Sequence, residues 1–217
     1  MKLLLTSAGF SNKSIIEALE ELVSKPTKEL KLAFNNTASN FEAGDKSEWL
    51  IKDLIDCKNM FAFVDIVDIS ALPREIWEPR LREADVLLFE GGNTFHLMHW
   101  IKKSGLDKLF PELLKDKIYI GISAGSMVMT QSLFLSESKL LYDEDPGDVA
   151  QDKALGYVDF NIMPHFNSAD FSKVNEENLE RISKDSKYPI YALDDNSAIK
   201  VVDDKVEVIS EGEWKKF

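Results

Sequence analysis

The sequence predicts an α/β fold: a three-layer sandwich in which helices cover both faces of a mostly parallel sheet. Short and nearly continuous apolar runs, typical of strands buried on both faces, recur along the chain. Segments with apolar residues at helical spacing separate these runs. The chain has 217 residues, of which 44% are hydrophobic, and it contains no linker-like stretch. One domain spanning residues 1–217 is therefore expected.

The first two thirds of the chain show this alternation clearly. The runs "KLLLT", "LKLAF", "FVDIVDI", "ADVLLF" and "IYIGI" predict strands at residues 2–6, 30–34, 63–69, 84–89 and 118–122. Helical spacing predicts helices at residues 15–23, 49–60, 94–103 and 106–114. Pro26 ends the first helix, and the pair Gly91-Gly92 ends the fourth strand.

The last third is less regular. Its pattern predicts strands at residues 160–166 and 188–195, a helix at residues 174–183 and a hairpin at residues 198–210. The acidic stretch at residues 137–152, which surrounds Pro146-Gly147, is expected to form a solvated loop.

Charge and composition exclude several classes of function. The formal charge is −12 and no basic cluster is present, so nucleic acid is not an expected partner. The apolar start "MKLLLTSAGF" is too short for a signal peptide or a membrane span. The single cysteine, Cys57, lies in a helical pattern and is expected to be buried, and with no disulfide possible within the chain a cytoplasmic location is expected. Three scattered histidines offer no metal-ligand spacing, so neither a metal nor a cofactor is expected.

The stretch "YIGISAGSM" contains a serine that sits two residues from a glycine on each side. This G-x-S-x-G pattern follows a predicted buried strand and precedes a helical segment. A sharp turn between strand and helix can expose a serine hydroxyl at a helix N-terminus, where backbone N–H groups stabilise a negative oxygen. Ser123 is therefore a candidate nucleophile, although an ordinary tight connection would give the same pattern.

A serine nucleophile needs a base and a carboxylate that orients the base. His96 and His99 lie in a helical segment and are interpreted as helix-face residues, whereas His165 follows the serine at the end of a predicted strand. His165 is therefore the candidate base. The acid is Asp194 or Asp195, which point to opposite faces of their strand, so that the residues alone leave the choice open.

Acyl transfer also needs N–H donors for the developing oxyanion. The loop "GGNT" after the fourth strand can present them, and the N–H of Ala124 can provide a second donor. Asn93 in this loop is a candidate for substrate binding, but its side chain could instead cap the next helix.

Four linked motifs, "FEGGNTFHL", "IGISAGSM", "MPHFN" and "LDDNSAI", resemble those of the peptidase E family of serine peptidases, which also includes the cyanophycinases. The resemblance covers most of the chain and implies a fold similar to the class I glutamine amidotransferases. Carried over to this sequence, it implies Ser123 as nucleophile, His165 as base and Asp195 as acid, where many relatives have glutamate. It also implies that the N–H groups of Gly92 and Ala124 form the oxyanion hole.

One departure concerns the substrate, which the resemblance implies to be a short peptide. The dipeptidases that require an N-terminal aspartate carry an arginine on the helix after "PHF", and this chain has "NEENLERI" there. Arg181 is the nearest candidate for binding a substrate carboxylate, so aspartyl specificity is expected to be weak. Two alternatives stay open: an esterase or amidase with an α/β-hydrolase-like site, whose acid would come from residues 143–152, and an inactive peptide-binding relative. The oligomeric state is not predicted.

Overall fold

The computed structural model describes residues 1–42, 48–144, 146, 149 and 151–217. Its strands are β1 (Lys2–Thr6), β2 (Lys31–Asn35), β3 (Phe63–Val67), β4 (Val86–Phe89), β5 (Ile118–Ile122), β6 (Asn161–Met163), β7 (Ile190–Leu193), β8 (Ser197–Val202), β9 (Lys205–Ser210) and β10 (Trp214–Lys216). Its helices are α1 (Lys13–Leu22), α2 (Thr37–Asn40), α3 (Glu48–Met60), α4 (Arg74–Glu83), α5 (Thr94–Ser104), α6 (Leu106–Leu113), α7 (Ala124–Met127), α8 (Leu135–Tyr142) and α9 (Glu176–Ser183), with a short 3-10 turn at Thr27–Glu29.

The larger sheet has seven strands in the order β3-β2-β4-β5-β1-β8-β9. The first five strands of this order run parallel, and β8 and β9 continue the sheet in antiparallel fashion. Along β1, Leu3 and Leu5 join one buried cluster, and Leu4 joins the cluster on the opposite face. A sheet with apolar side chains on both faces must be covered on both faces. The predicted α/β fold with a mostly parallel sheet is confirmed.

The smaller sheet has three strands in the order β10-β7-β6. Strands β6 and β7 are parallel, with Met163 opposite Ala192, and β10 pairs with β7 in antiparallel fashion. A third apolar cluster, which includes Phe166, Leu179 and Ile190, packs under it. The sequence predicted strands near β6 and β7 but did not separate them from the main sheet. Strand β10 has only three residues and was not predicted.

Three of the helices have an asparagine side chain as their N-cap. The side chains of Asn12, Asn93 and Asn175 accept hydrogen bonds from backbone N–H groups in the first turns of α1, α5 and α9. Helix α4 was not predicted, because it has a narrow apolar face, with Trp77 and Leu81 buried on a mostly charged helix. No helix in the described ranges is both long enough and apolar enough to cross a membrane.

The expected loop at residues 137–152 is wrong in its first part. Helix α8 extends to Tyr142, and its Leu141 packs into the cluster under the smaller sheet. Most helical stability in proteins comes from such tertiary packing, which the local charge pattern does not reveal. Residues 145, 147, 148 and 150 of the stretch lie outside the described residues.

Cys57 lies on α3 and is fully buried in the cluster between this helix and the sheet. Burial raises the pKa of its thiol, and the neighbouring carboxyl groups of Glu90 and Asp53 raise it further. The thiol is therefore unreactive, and the expectation that Cys57 is a small buried hydrophobic residue is confirmed.

Candidate active site

Ser123 lies at the junction of β5 and α7. Its backbone has φ 46° and ψ −106°, a conformation that a non-glycine residue rarely adopts. The Ser123 N–H donates to the carbonyl oxygen of Thr6 on the neighbouring strand at 3.1 Å, and the Ser123 carbonyl accepts from Ser126 N–H at 2.8 Å. These contacts hold the strained turn, so that the hydroxyl points out from the carboxyl end of the sheet.

The two glycines that flank Ser123 allow the backbone to pack closely. A Cβ on Gly125 would overlap the carbonyl oxygen of Phe89 on β4, and a Cβ on Gly121 would lie 2.6 Å from the carbonyl carbon of Gly125. Helix α7 therefore lies directly on β4 and β5 only because both positions lack a side chain. This close packing explains why the chain places glycines around one serine.

His165 lies two residues after the end of β6 and also has a positive φ, 64°. Its N–H donates to the hydroxyl oxygen of Ser7 at 2.8 Å, and its ring stacks on Phe171 with the ring centroids 4.4 Å apart. The ring atom Nε2 is 2.9 Å from Ser123 Oγ. The base candidate and the nucleophile candidate are therefore within hydrogen-bond distance.

Asp195 lies in the turn that follows β7. Its Oδ1 is 2.6 Å from Nδ1 of His165 and accepts a hydrogen bond from Ser7 Oγ at 3.2 Å. Burial acts to raise the pKa of the Asp195 carboxyl, but hydrogen bonds from His165, Ser7 and Ser168 outweigh it, and the pKa is lowered. Asp195 is thus held as a carboxylate, the form that can orient a histidine ring.

Asp194, the alternative acid, has a different position. Its Oδ1 accepts from the N–H of Asn196 at 3.0 Å and from the hydroxyl of Ser197, and its Oδ2 accepts from the N–H of Glu213 at 2.6 Å. These hydrogen bonds hold the turn between β7 and β8. Of the two aspartates, Asp195 contacts His165.

The backbone N–H groups of Gly92 and Ala124 lie at the ends of β4 and β5. Within the ranges that the structure describes, neither donates to a protein acceptor. Glu90 and Gly91 separate Gly92 from β4, and Gly91 lies against the candidate nucleophile, since a Cβ on Gly91 would be 3.4 Å from Ser123 Cβ. Gly92 has φ 121° and a backbone so close to Ala38 that a Cβ would lie 2.5 Å from that residue's carbonyl oxygen. Only glycine fits here.

A cavity of about 470 Å³ opens in front of Ser123 and His165. One lysine, Lys52, lies on its wall, and no arginine does among the residues described. The acidic residues on the wall are Glu42, Asp53, Glu90, Glu144, Asp170 and Asp195. The described part of the wall is therefore strongly acidic.

Two of these carboxyl groups, those of Asp53 and Glu90, form a buried pair. Burial raises the pKa of Asp53 to about 6, although Lys52 acts to lower it. Burial and the charge of Asp53 raise the pKa of Glu90 well above its usual range. A hydrogen bond between the two groups favours ionised Asp53 and protonated Glu90. At neutral pH the pair therefore carries one negative charge, on Asp53.

Glu144 occupies another part of the wall. Its Oε1 accepts hydrogen bonds from the N–H of Thr94 at 3.1 Å and from the Thr94 hydroxyl at 3.0 Å. Burial raises the pKa of its carboxyl to about 7 despite these bonds. The Glu144 side chain thus lies against the first residue of α5, next to the loop that carries Gly92.

The structure does not bring the two predicted substrate-binding residues to the cavity. The side chain of Asn93 accepts from His96 N–H at 2.8 Å and caps α5, the alternative that the sequence left open. Arg181 is exposed on α9 and is not among the described residues of the cavity wall. The Asn93 side chain is thus used to cap a helix, and Arg181 lies on another part of the described surface.

Sequence reasoning missed Ser7, Asp53 and Glu90. Ser7 follows β1, an interior strand of the sheet, so its position at a strand end was a usable signal. Glu90 follows β4 in "LLFEGG", where a charged residue directly after a buried strand was a second signal. Asp53 had no signal, since it lies in a helix rich in charged residues. The described residues contain no group of three or more potential metal ligands.

The chain matches Peptidase family S51 over residues 3–209. It belongs to that family. A curated relative, an uncharacterised peptidase from Listeria innocua, is 30% identical over 145 residues, which cover 66% of this chain and 68% of the relative. A peptidase E from Shewanella oneidensis is 38% identical over 105 residues, which cover 47% of this chain and 42% of that protein. The chain thus aligns with less than half the length of that peptidase E.

Solved structures agree with this assignment. A Listeria monocytogenes protein classed with peptidase E has a TM-score of 0.80 and 25% identity, over 97% of this chain and 98% of its own. A peptidase from an acI-B1 actinobacterium has a TM-score of 0.63 at 18% identity and covers 100% of this chain and 93% of its own, which shows a shared fold. The predicted resemblance to peptidase E is confirmed, and family membership places the chain among the peptidases, hydrolases of the peptide bond.

Proposed function

We propose that this S51 member hydrolyses short peptides through an acyl-enzyme, with Ser123 as nucleophile, His165 as general base and Asp195 as the orienting acid. The observation that carries the proposal is the pair of distances at the histidine ring. Nε2 lies 2.9 Å from Ser123 Oγ, and Nδ1 lies 2.6 Å from Asp195 Oδ1. This is the arrangement in which a carboxylate holds the tautomer that can accept the serine proton.

The reaction follows from this arrangement. Ser123 Oγ attacks the carbonyl carbon of the cleaved bond while its proton moves to His165 Nε2. The C–N bond then breaks, the histidine returns the proton to the leaving amine, and the serine ester remains. A water molecule, deprotonated by the same histidine, hydrolyses the ester. In this proposal the N–H groups of Gly92 and Ala124 donate to the oxyanion in both steps.

The acidic residues on the cavity wall argue against a strong preference for substrates with an N-terminal aspartate. A substrate carboxylate placed among six acidic side chains would lose hydration without gaining a matching cation. Lys52, the lysine on the described wall, is already paired with Asp56 at 2.8 Å and lies 3.6 Å from Asp53. The proposed substrates are therefore short peptides whose first residue is not acidic.

Two measurements test the proposal. A fluorophosphonate probe should label the wild-type protein at Ser123, and a library of unblocked dipeptides and tripeptides should contain substrates that it cleaves. The Ser123→Ala variant should show neither labelling nor cleavage. It keeps the Cβ and removes one oxygen at a strained turn, so its thermal unfolding should match that of the wild type.

The outcomes separate the alternatives. Labelling with cleavage of simple esters but of no peptide would favour the esterase alternative. A folded wild-type protein that is not labelled and binds peptides without cleaving them would be the inactive relative. Peptide cleavage that persists in purified, folded Ser123→Ala would end the serine mechanism.

A further inference from the structure

Asp53 and Trp49 present two different side chains on one face of α3 toward the cavity. They are four residues apart, so they lie one above the other on the helix. Both line the cavity, and the Trp49 ring comes within 4.0 Å of the position that a Cβ on Gly91 would occupy. A carboxylate beside an aromatic ring is a combination that binds cations.

Glu90 forms the buried end of this arrangement. It is completely buried, it lies on the cavity wall, and its Oε1 accepts the Gly91 N–H at 2.9 Å. Its Oε2 receives no hydrogen bond from any donor among the described residues, and Asp53 is the acidic group that it meets. Glu90 holds the one proton that the two carboxyl groups share, so that the negative charge on Asp53 is left for a cation to neutralise.

Lys52 does not fully supply that cation. Its Nζ is closer to Asp56, at 2.8 Å, than to Asp53, at 3.6 Å, and more than half of its side chain is exposed. The Asp53 side chain, in contrast, is 9% exposed. Because Lys52 is half-exposed and is shared with Asp56, it neutralises the buried Asp53 carboxylate only in part.

This charge lies near the end of β5, on the same cavity wall as Ser123. A Cβ on Gly9 would be 3.2 Å both from Asp53 Oδ1 and from Cδ1 of Ile122, the residue before Ser123. Gly91, which follows Glu90, lies against Ser123 itself. A group bound at Asp53 therefore belongs to the part of the substrate next to the cleaved bond.

The geometry points to a cation subsite formed by Asp53, Trp49 and Glu90, which takes a positively charged group on the substrate residue that precedes the cleaved bond. The inference rests on the proposed peptidase function and specifies its substrate class. The charge is either the α-ammonium group of a free N-terminus or the side chain of lysine or arginine. Asp53 and Trp49 contact this group, and Glu90 positions the Asp53 carboxylate.

Binding to the catalytically inert Ser123→Ala protein tests the subsite without requiring hydrolysis. Calorimetric titrations would compare Lys-Leu, norleucine-Leu and Asp-Leu at pH 7.5, each with a free and with an acetylated N-terminus. A subsite for the side chain predicts that Lys-Leu binds at least tenfold more tightly than norleucine-Leu. A subsite for the α-ammonium predicts a tenfold loss on acetylation whatever the side chain.

Three second-site changes in the Ser123→Ala background identify the residues. Asp53→Asn should abolish the preference for positive charge. Lys52→Met should strengthen it severalfold, because a competing cation is removed. Asp170→Asn is the matched control: it removes an equal charge from an exposed position on the same wall and should leave the preference within twofold. Circular dichroism melts would establish that each variant is folded.

Two results would overturn the inference: equal affinity for charged and neutral ligands in the Ser123→Ala protein, or a preference that survives Asp53→Asn. If Asp53→Asn does not fold, Lys52→Met decides, since an unchanged or weaker preference contradicts the subsite. These results are independent of turnover. Cleavage of peptides by the wild type without any charge preference would support the proposed function and contradict the subsite. Charge-selective binding without any cleavage would support the subsite and contradict the proposed function.

Discussion

The seven-stranded sheet and the three-stranded sheet each supply part of the candidate site. The larger sheet carries Ser123, whose position is set locally by the end of β5, two glycines and the first turn of α7. The smaller sheet carries His165 and Asp195, which follow the parallel neighbours β6 and β7. Ser123 is thus positioned by its own turn and by close contacts with the adjacent strands β1 and β4, whereas His165 and Asp195 depend on the pairing of β6 with β7. Substitutions at Ser123 and substitutions at the residues that hold His165 and Asp195 in place should therefore affect activity and stability differently.

The largest effect is expected where the two sheets meet at the histidine ring. His165→Ala should lower kcat about as much as Ser123→Ala does, by roughly 10⁴-fold or more, because members of a triad act as a unit. Steady-state kinetics of both variants and of the double variant would measure this. Double-variant activity far below that of either single variant would show that the two residues act separately, contrary to the proposed mechanism.

The second comparison separates the two neighbouring aspartates. Asp195→Asn should lower kcat by about 10²- to 10⁴-fold, because an amide favours the wrong histidine tautomer. Asp194→Asn should leave kcat/KM within about fivefold and lower the free energy of unfolding by about 1–2 kcal/mol, since Asp194 holds a turn. Kinetics and urea unfolding of both variants would measure these effects. The reverse pattern would assign the acid to Asp194.

A smaller effect is expected at Ser7, which links the sheets. Its hydroxyl accepts from His165 N–H and donates to Asp195, so Ser7→Ala should lower kcat about 5- to 30-fold with little change in KM, equivalent to one or two hydrogen bonds. Thr130→Val is a matched control. It also removes a buried hydroxyl, which donates to the carbonyl oxygen of Met127 and contacts neither His165 nor Asp195. The Thr130→Val change should therefore lower stability without lowering kcat. Equal losses of kcat in both variants would deny Ser7 a positioning role.

The smallest effect on turnover, and a distinct effect on stability, is expected at the carboxyl pair. Burial raises the pKa values of Glu90 and Asp53, in the latter case to about 6, so the unfolded chain releases these protons at lower pH than the folded protein does. Stability from this source is present below about pH 4 and is lost as the pH rises toward the folded pKa values. Glu90→Gln should therefore raise the free energy of unfolding at pH 8 by about 1–3 kcal/mol.

Urea unfolding at pH 5 and pH 8 would measure this difference. The gain from Glu90→Gln should shrink or disappear at pH 5, where the wild-type pair keeps its protons. A gain that is the same at both pH values would mean that packing, and not the charge of the pair, limits stability there.

The larger sheet was the more predictable of the two regions. Strands β1 and β5 begin and end where the apolar runs do, because a strand buried on both faces has a continuous apolar sequence. The turn at Ser123 was predictable for a similar reason, since its glycines are required by close contact with residues a few positions away or on the adjacent strand. Local pattern and local geometry agree in this region.

The smaller sheet and the cavity wall could not be predicted in the same way. Strands β6 and β10 have three residues each, and the pairing partner of each is set by packing in three dimensions. Helix α8 packs Leu141 into the cluster under the smaller sheet, a contact that its local sequence does not indicate. Asp53 and Glu90 become a pair only when α3 packs beside the end of β4. His165 could be predicted as the base because it is the only histidine after Ser123 and follows a predicted strand, whereas the residues alone narrowed the acid to Asp194 or Asp195.

The hydrogen bonds of Ser7 have a consequence for how the protein is made. Ser7 lies near the start of the chain, whereas the two residues that it joins lie 158 and 188 positions away. A polypeptide emerging from the ribosome exposes the strand–glycine–serine segment well before it contains residue 195. Under the proposed mechanism, Ser123 therefore lacks its base and its acid during most of translation, and peptide cleavage requires that His165 and Asp195 have joined the N-terminal strand.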